Sequence, residues 1–293
     1  PRRWPGAEGE RIRYLRTKRD SEELRAELRP GVRLLVVGGG FIGAEVASSA
    51  RSLGADVTVL EAAPAPLHAL LGPVLSASNA RRFAADGVTL RCGVAVESIT
   101  QEGEQVVVTT DAGIHVGDLV VVGIGTVPND AIATASGIAV DNGILVDEHC
   151  RTSMENVYAA GDVANHFHPL FDTRMRVEHF DNASKQAAVA ANNMIGRETV
   201  FDDPHWFWSD QFGVNLQYVG HTAGTDEVVI RGQLEDAAWS AFFLRDGLVR
   251  AAFAVDGAED IMVARELISS GHRVSVDQLV DQSTSLIEIL EQA

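Results

Sequence analysis

An α/β fold built on parallel strands, followed by an α+β module, is what this sequence predicts, on three observations. Residues 31–147 alternate apolar runs with helical stretches. The run "VRLLVVGG" is continuously apolar, as a parallel strand covered on both faces must be. From about residue 200 the order changes to consecutive strands and then helices, the pattern of an α+β module.

The elements follow in chain order. "VRLLVVGG" is the first strand of the α/β region, "FIGAEVASSARSLG" a helix ending at Gly54, and "DVTVLE" the next strand. "GPVLSASNARRFAADG" reads as a second helix, with Pro73 early and Gly87 closing it, because proline suits a first turn and glycine a helix end. "GVTLRCG", "VAVESIT", "EQVVVTTD" and "DLVVVGIG" are short β-rich segments between turn residues, so an antiparallel ribbon is inserted in the parallel unit. "TSMENVYAAGDVAN" reads as a buried strand over 157–160 that breaks at Gly161-Asp162, and "EHFDNASKQAAVAANNMIG" as a tightly packed helix closed by Gly196. "VNLQYVG", "EVVIRGQ", "AAWSAFFLRDG" and "LVRAAFAVDG" are antiparallel strands with turns at Gly or Asp. "AEDIMVARELISSG" and "SVDQLVDQ" are helices.

Bulk properties exclude several classes. The 293 residues suffice for two domains or three small pieces. With 46% hydrophobic and 22% charged residues the chain has a soluble globular composition. No apolar run approaches the roughly 20 residues that span a bilayer. The net charge of −17 argues against a general nucleic-acid binder, which needs a basic face. Only the first thirty residues are locally basic, with Arg2, Arg3, Arg11, Arg13, Arg16, Lys18, Arg19, Arg25 and Arg29 among six acids. Such a mix is either a solvated face of linker and helix or a patch for an acidic partner. Cys92 and Cys150 form no CxxC motif, so neither a redox dithiol nor a zinc ribbon is expected, and the usage fits a reducing cytoplasm.

"VVGGGFIGAE" places Gly38-x-Gly40-x-x-Gly43 directly after a strand and at a helix start. In that context the spacing is a dinucleotide fingerprint. Gly38 permits the tight turn, Gly40 lets a pyrophosphate approach the backbone beside Ile42, and Gly43 lets helix and strand pack closely. The pyrophosphate then meets free N–H groups at the positive helix end. Glu61 ends the next strand, where a carboxylate accepts both ribose hydroxyls and repels a 2′-phosphate. No Arg or Lys follows in "EAAPAPLHAL", so NADH is favoured and NADPH is less favoured. Glu45 is expected in the first turn of this helix, where the macrodipole favours a negative charge. Asp162, at a second turn, then implies a second nucleotide, whose own glycine-rich half would precede residue 1.

The ordered motifs "VVGGGFIGAEVA", "GIGTVPN", "ILVDEHCRTSMENVYAAGDVA", "RVEHFDNASKQA" and "FWSDQFGVNLQYVG" resemble the FAD-dependent NADH:ferredoxin reductases. These serve oxygenase and P450 systems and are related to rubredoxin reductases and apoptosis-inducing factor. The resemblance covers nearly the whole chain. It implies a Rossmann-type NAD-binding domain inserted in a partial FAD-binding domain, followed by an α+β C-terminal domain. The corresponding divisions are 1–30 (linker and edge of the FAD region), 31–147 (NAD domain), 148–199 (C-terminal part of the FAD domain) and 200–293 (interface domain). The segment carrying the first G-x-G-x-x-G is expected to be missing. Aggregation, homodimer formation through the bared face, or local disorder around 150–200 is expected in consequence.

The resemblance also implies residue roles. Asp162 and the Val163 amide would hold the FAD ribitol and pyrophosphate. Glu178, His179 and Phe180 would lie beside the isoalloxazine, with Phe180 where many relatives carry Trp, and Trp208 would pack near the ring. Phe41 would stand between flavin and nicotinamide, Glu45 would bind the nicotinamide side, and Gly125 would line the NAD cleft. Ala69 stands where many relatives have Arg in the adenosine pocket.

The chemistry is coherent with these roles. Hydride transfer needs donor and acceptor aligned within about 3–3.5 Å in a dry site, and a flavin links a two-electron donor to one-electron acceptors. The expected activity is therefore FAD-dependent electron transfer from NADH to a ferredoxin-type iron–sulfur carrier, with no nucleic-acid or membrane partner. The alternatives are a flavin-free NAD(H)-binding fragment without turnover, or a flavoprotein passing electrons to quinone or oxygen. His166, His168 and His179 with Asp172 or Glu178 invite a metal reading, since His-x-His on a strand shares a face. Pro169 interrupts and no third ligand has a fixed spacing, so no metal site is expected. Ser184 and Ser209 lack a G-x-S-x-G elbow.

Overall fold

The computed structural model describes residues 1–224 and 226–291. Thr225 and residues 292–293, within the expected C-terminal domain, lie outside these described residues. Two compact units are present: Pro1–Thr126 with Ser209–Asn215, and Val127–Trp208 with Leu216–Ala293.

The first unit contains, in order, β1 (Ile12–Arg13), α1 (Lys18–Glu27), β2 (Arg33–Val37), α2 (Phe41–Ser52), β3 (Asp56–Glu61), α3 (His68–Ala85), β4 (Thr89–Cys92), β5 (Val96–Glu102), β6 (Gln105–Thr110), β7 (Gly113–Gly117) and β8 (Leu119–Val122). Its main sheet has the order β1-β8-β2-β3-β4, and its pairings are all parallel. Strand β2 is apolar throughout because both its faces are covered. Leu34 and Val36 pack with Ala44, Ala47 and Phe83 of the helices. Leu35 and Val37 pack on the other face with Ile99, Val106 and Val108 of the β5-β6-β7 ribbon. Each such aliphatic side chain contributes roughly 1.5–3 kcal/mol on burial.

Helix α2 presents Gly43, Ala47 and Ala50 inward, a stripe of small residues that lets the helix lie close on the sheet. A capping box between Thr17 and Asp20 starts α1. Four of the locally basic N-terminal residues are paired with acids of α1, Arg11 and Arg13 with Glu27, Lys18 with Glu22 and Arg19 with Glu23.

The second unit holds α4 (Ala131–Ala135), β9 (Ile144–Val146), a 3₁₀ turn (Gly161–Val163), β10 (Ala164–His168), β11 (Thr173–Arg176) and α5 (Phe180–Met194). After these come β12 (Trp206–Gln211), β13 (Val214–Gly220), β14 (Glu227–Arg231), β15 (Trp239–Arg245), β16 (Leu248–Val255), α6 (Ala258–Ser270), α7 (Val276–Val280) and α8 (Leu286–Glu291). The sheets are β11-β10-β9 and β12-β13-β16-β15-β14; residues 209–215, the tip of the β12–β13 hairpin, belong to the first unit. Helix α6 supplies Ile261, Ala264 and Leu267 to a core shared with Phe242, Ala252 and Ala254 of the second sheet. Parallel α/β topology followed by an α+β module is thus the observed fold.

Three local expectations are corrected. The helix read from Gly72 onward extends back to His68, with an interruption at Gly72 (φ 71°, ψ −178°). Pro73 bars its predecessor from the helical region, and glycine alone takes that positive φ easily. The strand expected over 157–160 is not formed. That stretch is tied locally to 150–152 through Val157 O and Ala159 N and through one bridge, Arg151–Tyr158, and the strand follows the Gly161 turn instead. Finally, α2 begins at Phe41, so its first turn holds no acid. Glu45 lies beyond the reach of the dipole, which fades within one turn.

Candidate functional site

In the first unit the sequence of strands reverses direction at β2: β3 and β4 lie to one side, β8 to the other. Ligands of open α/β sheets bind in the crevice at such a reversal, outside the carboxyl ends of the strands. There the chain turns at Gly38, with φ +102° and N–H donating to Leu60 O at 2.8 Å. A β-carbon on Gly38 would come within 2.4 Å of Gly123 O, and one on Gly43 within 1.9 Å of Gly38 O. Gly40 differs: its extended backbone suits any residue, and nothing lies within 4 Å of where its β-carbon would be. The open space above Gly40, at the start of a 12-residue helix, fits a pyrophosphate.

Glu61 reaches back to this turn. Its carboxylate accepts from Gly39 N at 2.5 Å and from Ala63 N at 2.7 Å. Gly125, with φ +93°, has no atom within 4 Å of the position a β-carbon would take, and its carbonyl accepts from Arg2 N at 2.8 Å. Phe41 is half-buried and Ile42 exposed at the helix start. Glu45 accepts a 2.5 Å hydrogen bond from Ser209 Oγ, which also receives Gln211 Nε2 at 2.8 Å. The sequence offered no sign of that Ser209 contact, because the two residues meet only through the fold.

In the second unit Gly161 adopts φ +77°, and a β-carbon there would meet the Ala183 methyl at 3.2 Å. Its N–H donates to Gln186 Oε1 at 2.8 Å. Asp162 is exposed on this turn and Val163 half-buried. Arg176 donates to Asp162 O at 3.0 Å and is paired with Glu178. His179 caps α5 and stacks on Phe207 at 4.0 Å between centroids, 15° from parallel. Burial pushes its pKa down, opposed by the nearby Glu178 and Asp162 carboxylates. Phe180 is 77% exposed and Trp208 44%, and Trp208 leans on Trp206 at 5.1 Å.

These residues fit a flavin nucleotide. The turn presents an acid beside a 15-residue helix, Phe180 and Trp208 of the same unit are exposed aromatic rings, and two buried polar atoms of α5, Asn182 Oδ1 and Gln186 Nε2, lack partners. Gln186 was not foreseen, since glutamine in a helix carries no positional signal.

Cys92 and Cys150 are free. Burial, then Asp147, pushes the Cys150 thiol up to about 12, and burial also raises Cys92, so neither is a thiolate nucleophile at neutral pH. Of the histidines weighed as metal ligands from the sequence, His166 and His168 meet in the fold with His205, and His179 is not among that group.

A parallel sheet with a glycine turn at its reversal, an acid closing the next strand and a second acidic turn define a two-nucleotide oxidoreductase. Residues 1–187 match the family described as pyridine nucleotide-disulphide oxidoreductase, and residues 206–290 match the reductase C-terminal family. The chain belongs to the pyridine nucleotide-disulphide oxidoreductases.

Among its relatives, the anthranilate 1,2-dioxygenase system ferredoxin–NAD(+) reductase component of Burkholderia cepacia is 41% identical over 93% of this chain and 68% of its own length. Putidaredoxin reductase of Pseudomonas putida is 35% identical over 100% and 72%. The crystal structure of the ferredoxin reductase for the CYP199A2 system from Rhodopseudomonas palustris matches with a TM-score of 0.89 at 37% identity, over 94% of this chain and 69% of that one. The covalent putidaredoxin reductase–putidaredoxin complex matches with a TM-score of 0.95, over 100% and 72%. The resemblance read from the five motifs is borne out. Among the described residues no helix is long and apolar enough to cross a membrane.

Proposed function

We propose that this chain is the NADH-oxidising, FAD-dependent reductase of a ferredoxin-linked system. The observation that carries this reading is the glycine turn at the strand reversal with Glu61 bonded to its Gly39 amide. Gly38, Gly40, Ile42 and Gly43 cradle the pyrophosphate of the dinucleotide. Glu61 accepts the adenosine ribose hydroxyls and disfavours a 2′-phosphate, so NADH is preferred over NADPH. Gly125 keeps the crevice open, and Phe41 and Glu45 attend the nicotinamide end. In the second unit Asp162 and Val163 hold the sugar-like chain of the flavin nucleotide. Glu178, His179, Phe180 and Trp208 surround its ring and exclude water. A bound flavin supplies the step from two-electron donor to one-electron acceptor. The protein contributes alignment, dry walls and fixed charge, and no acid or base at the reacting carbon.

The acceptor in this reading is a small ferredoxin-type iron–sulfur protein, as the relatives' names support. The cytoplasm is the setting that two free thiols favour, and association into a homodimer belongs to the same reading.

Supplied with FAD and purified, the chain is expected to show flavin absorption bands that bleach anaerobically on adding NADH. A colourless protein that still binds NADH would reject the flavin half of the reading. Glu61→Arg is expected to shift the kcat/KM ratio from NADH toward NADPH by roughly 100-fold, about 2.7 kcal/mol of differential binding. An unchanged ratio would remove Glu61 from the ribose.

A further inference from the structure

His166 and His168 alternate along β10, so both rings stand on one face of the strand. His205 arrives from the segment just before β12. All three are buried, at 1%, 0% and 6% exposure, and one ring nitrogen from each lies within 4.8 Å of the other two. The ring centroids are 5.6 Å apart for His166–His168, 5.0 Å for His166–His205 and 4.9 Å for His168–His205. Three imidazoles on one tetrahedral ion, bound at about 2.1 Å each, would hold their centroids roughly 5.2 Å apart. The observed spacings bracket that value, so pivots of about 1 Å at the nitrogens would bring them onto a common ion.

Hydrogen bonding supports the same arrangement. His168 Nε2 donates to the Asp203 carbonyl at 3.0 Å. That bond fixes the tautomer with a bare Nδ1, as outer hydrogen bonds do for metal-ligating imidazoles. Nδ1 of His168, Nδ1 of His205 and both nitrogens of His166 have no hydrogen-bond partner. The Met175 backbone, opposite His166 across the β10–β11 ladder, comes near without meeting hydrogen-bond geometry. A neutral imidazole always carries one N–H and one bare nitrogen, so His166 buries both an unpaired donor and an unpaired acceptor whichever tautomer it adopts. Edge-on packing against Phe201 accounts for the burial but not for these bare nitrogens.

We propose that His166, His168 and His205 form a binding site for one d10 transition-metal cation, Cu(I) or Zn(II). Both ions accept neutral imidazoles without imposing a d-electron geometry. Met175 Sδ lies 2.7 Å from His205 Nε2, the nitrogen turned away from the bare Nδ1, so the thioether steadies the ring and leaves Nδ1 for the ion. The bound ion would pin β10 to the segment leading into β12. This site is separate from the nucleotide-binding residues assigned above.

The test is metal retention by the purified chain. It is loaded in one arm with Zn(II) from a metal buffer and in the other with Cu(I) under anaerobic reduction, with bathocuproine as competitor. One equivalent is expected to survive gel filtration, with X-ray absorption showing three nitrogen neighbours near 2.0–2.1 Å. His205→Phe is expected to lower affinity at least about 100-fold, beyond the 10–100-fold that outer-shell changes cost, with an unchanged circular dichroism spectrum. Sub-stoichiometric retention of both ions by the wild-type chain would overturn the proposal, whatever the variant does. Retention that His205→Phe leaves unaltered would overturn it as well.

Discussion

Replacing Gly40 by valine is expected to leave the fold intact and to weaken NADH binding by roughly 100-fold, about 2.7 kcal/mol. The two halves of that expectation come from one geometric fact. Gly40 has an extended backbone, φ −72° and ψ −174°, which valine adopts without strain. No protein atom lies within 4 Å of the position its β-carbon would take. The side chain would therefore stand in the space that a pyrophosphate must enter to reach the amides of the helix start. Titrating NADH into the variant checks the loss, and a thermal melt checks the fold. Unchanged affinity in a folded variant would overturn the assignment of the turn.

Gly43→Ala should behave in the opposite way. A methyl group at this position would sit 1.9 Å from Gly38 O and 3.3 Å from Val36 Cγ1. Neither the turn carbonyl nor the core strand can withdraw, so α2 would have to lift from the sheet and open the layer of Ala44, Ala47 and Ala50. Overpacking of this kind costs at the upper end of its usual range, about 3 kcal/mol. The urea midpoint of the variant should fall accordingly, and a midpoint equal to that of the parent would show that the close helix–strand contact is not formed in solution. Two glycines of one motif are thus separable, one serving a ligand and one serving the packing.

The parts of the molecule written by local physics were legible. Continuous apolar strands, a glycine turn at the first helix and an acid closing the next strand follow from periodicity and spacing, and they gave the fold class and the dinucleotide crevice. What escaped was either short or non-local. Strand β7, "GIHVG", has two glycines and a histidine and does not read as a strand until β6 pairs with it. Helices α4 and α8 are only 5 and 6 residues long, below the length at which a 3.6-residue period declares itself. The apolar run before Gly161 looked like a ladder strand because periodicity cannot tell a paired segment from one held by a single bridge. His205 reaches His166 and His168 from another element, and Ser209 reaches Glu45 likewise. Such meetings are set by topology, which spacing along the chain does not encode.

The brace between Glu61 and Gly39 has a consequence for anyone redesigning coenzyme choice. One carboxylate both steadies the bend that receives the phosphates and, on the reading proposed above, selects the sugar. Removing it to admit a phosphorylated ribose also releases an amide whose direction the bend depends on. A variant with reversed preference should accordingly turn over more slowly with either coenzyme until a second substitution returns an acceptor to that amide, so selectivity and throughput are wired to a single side chain.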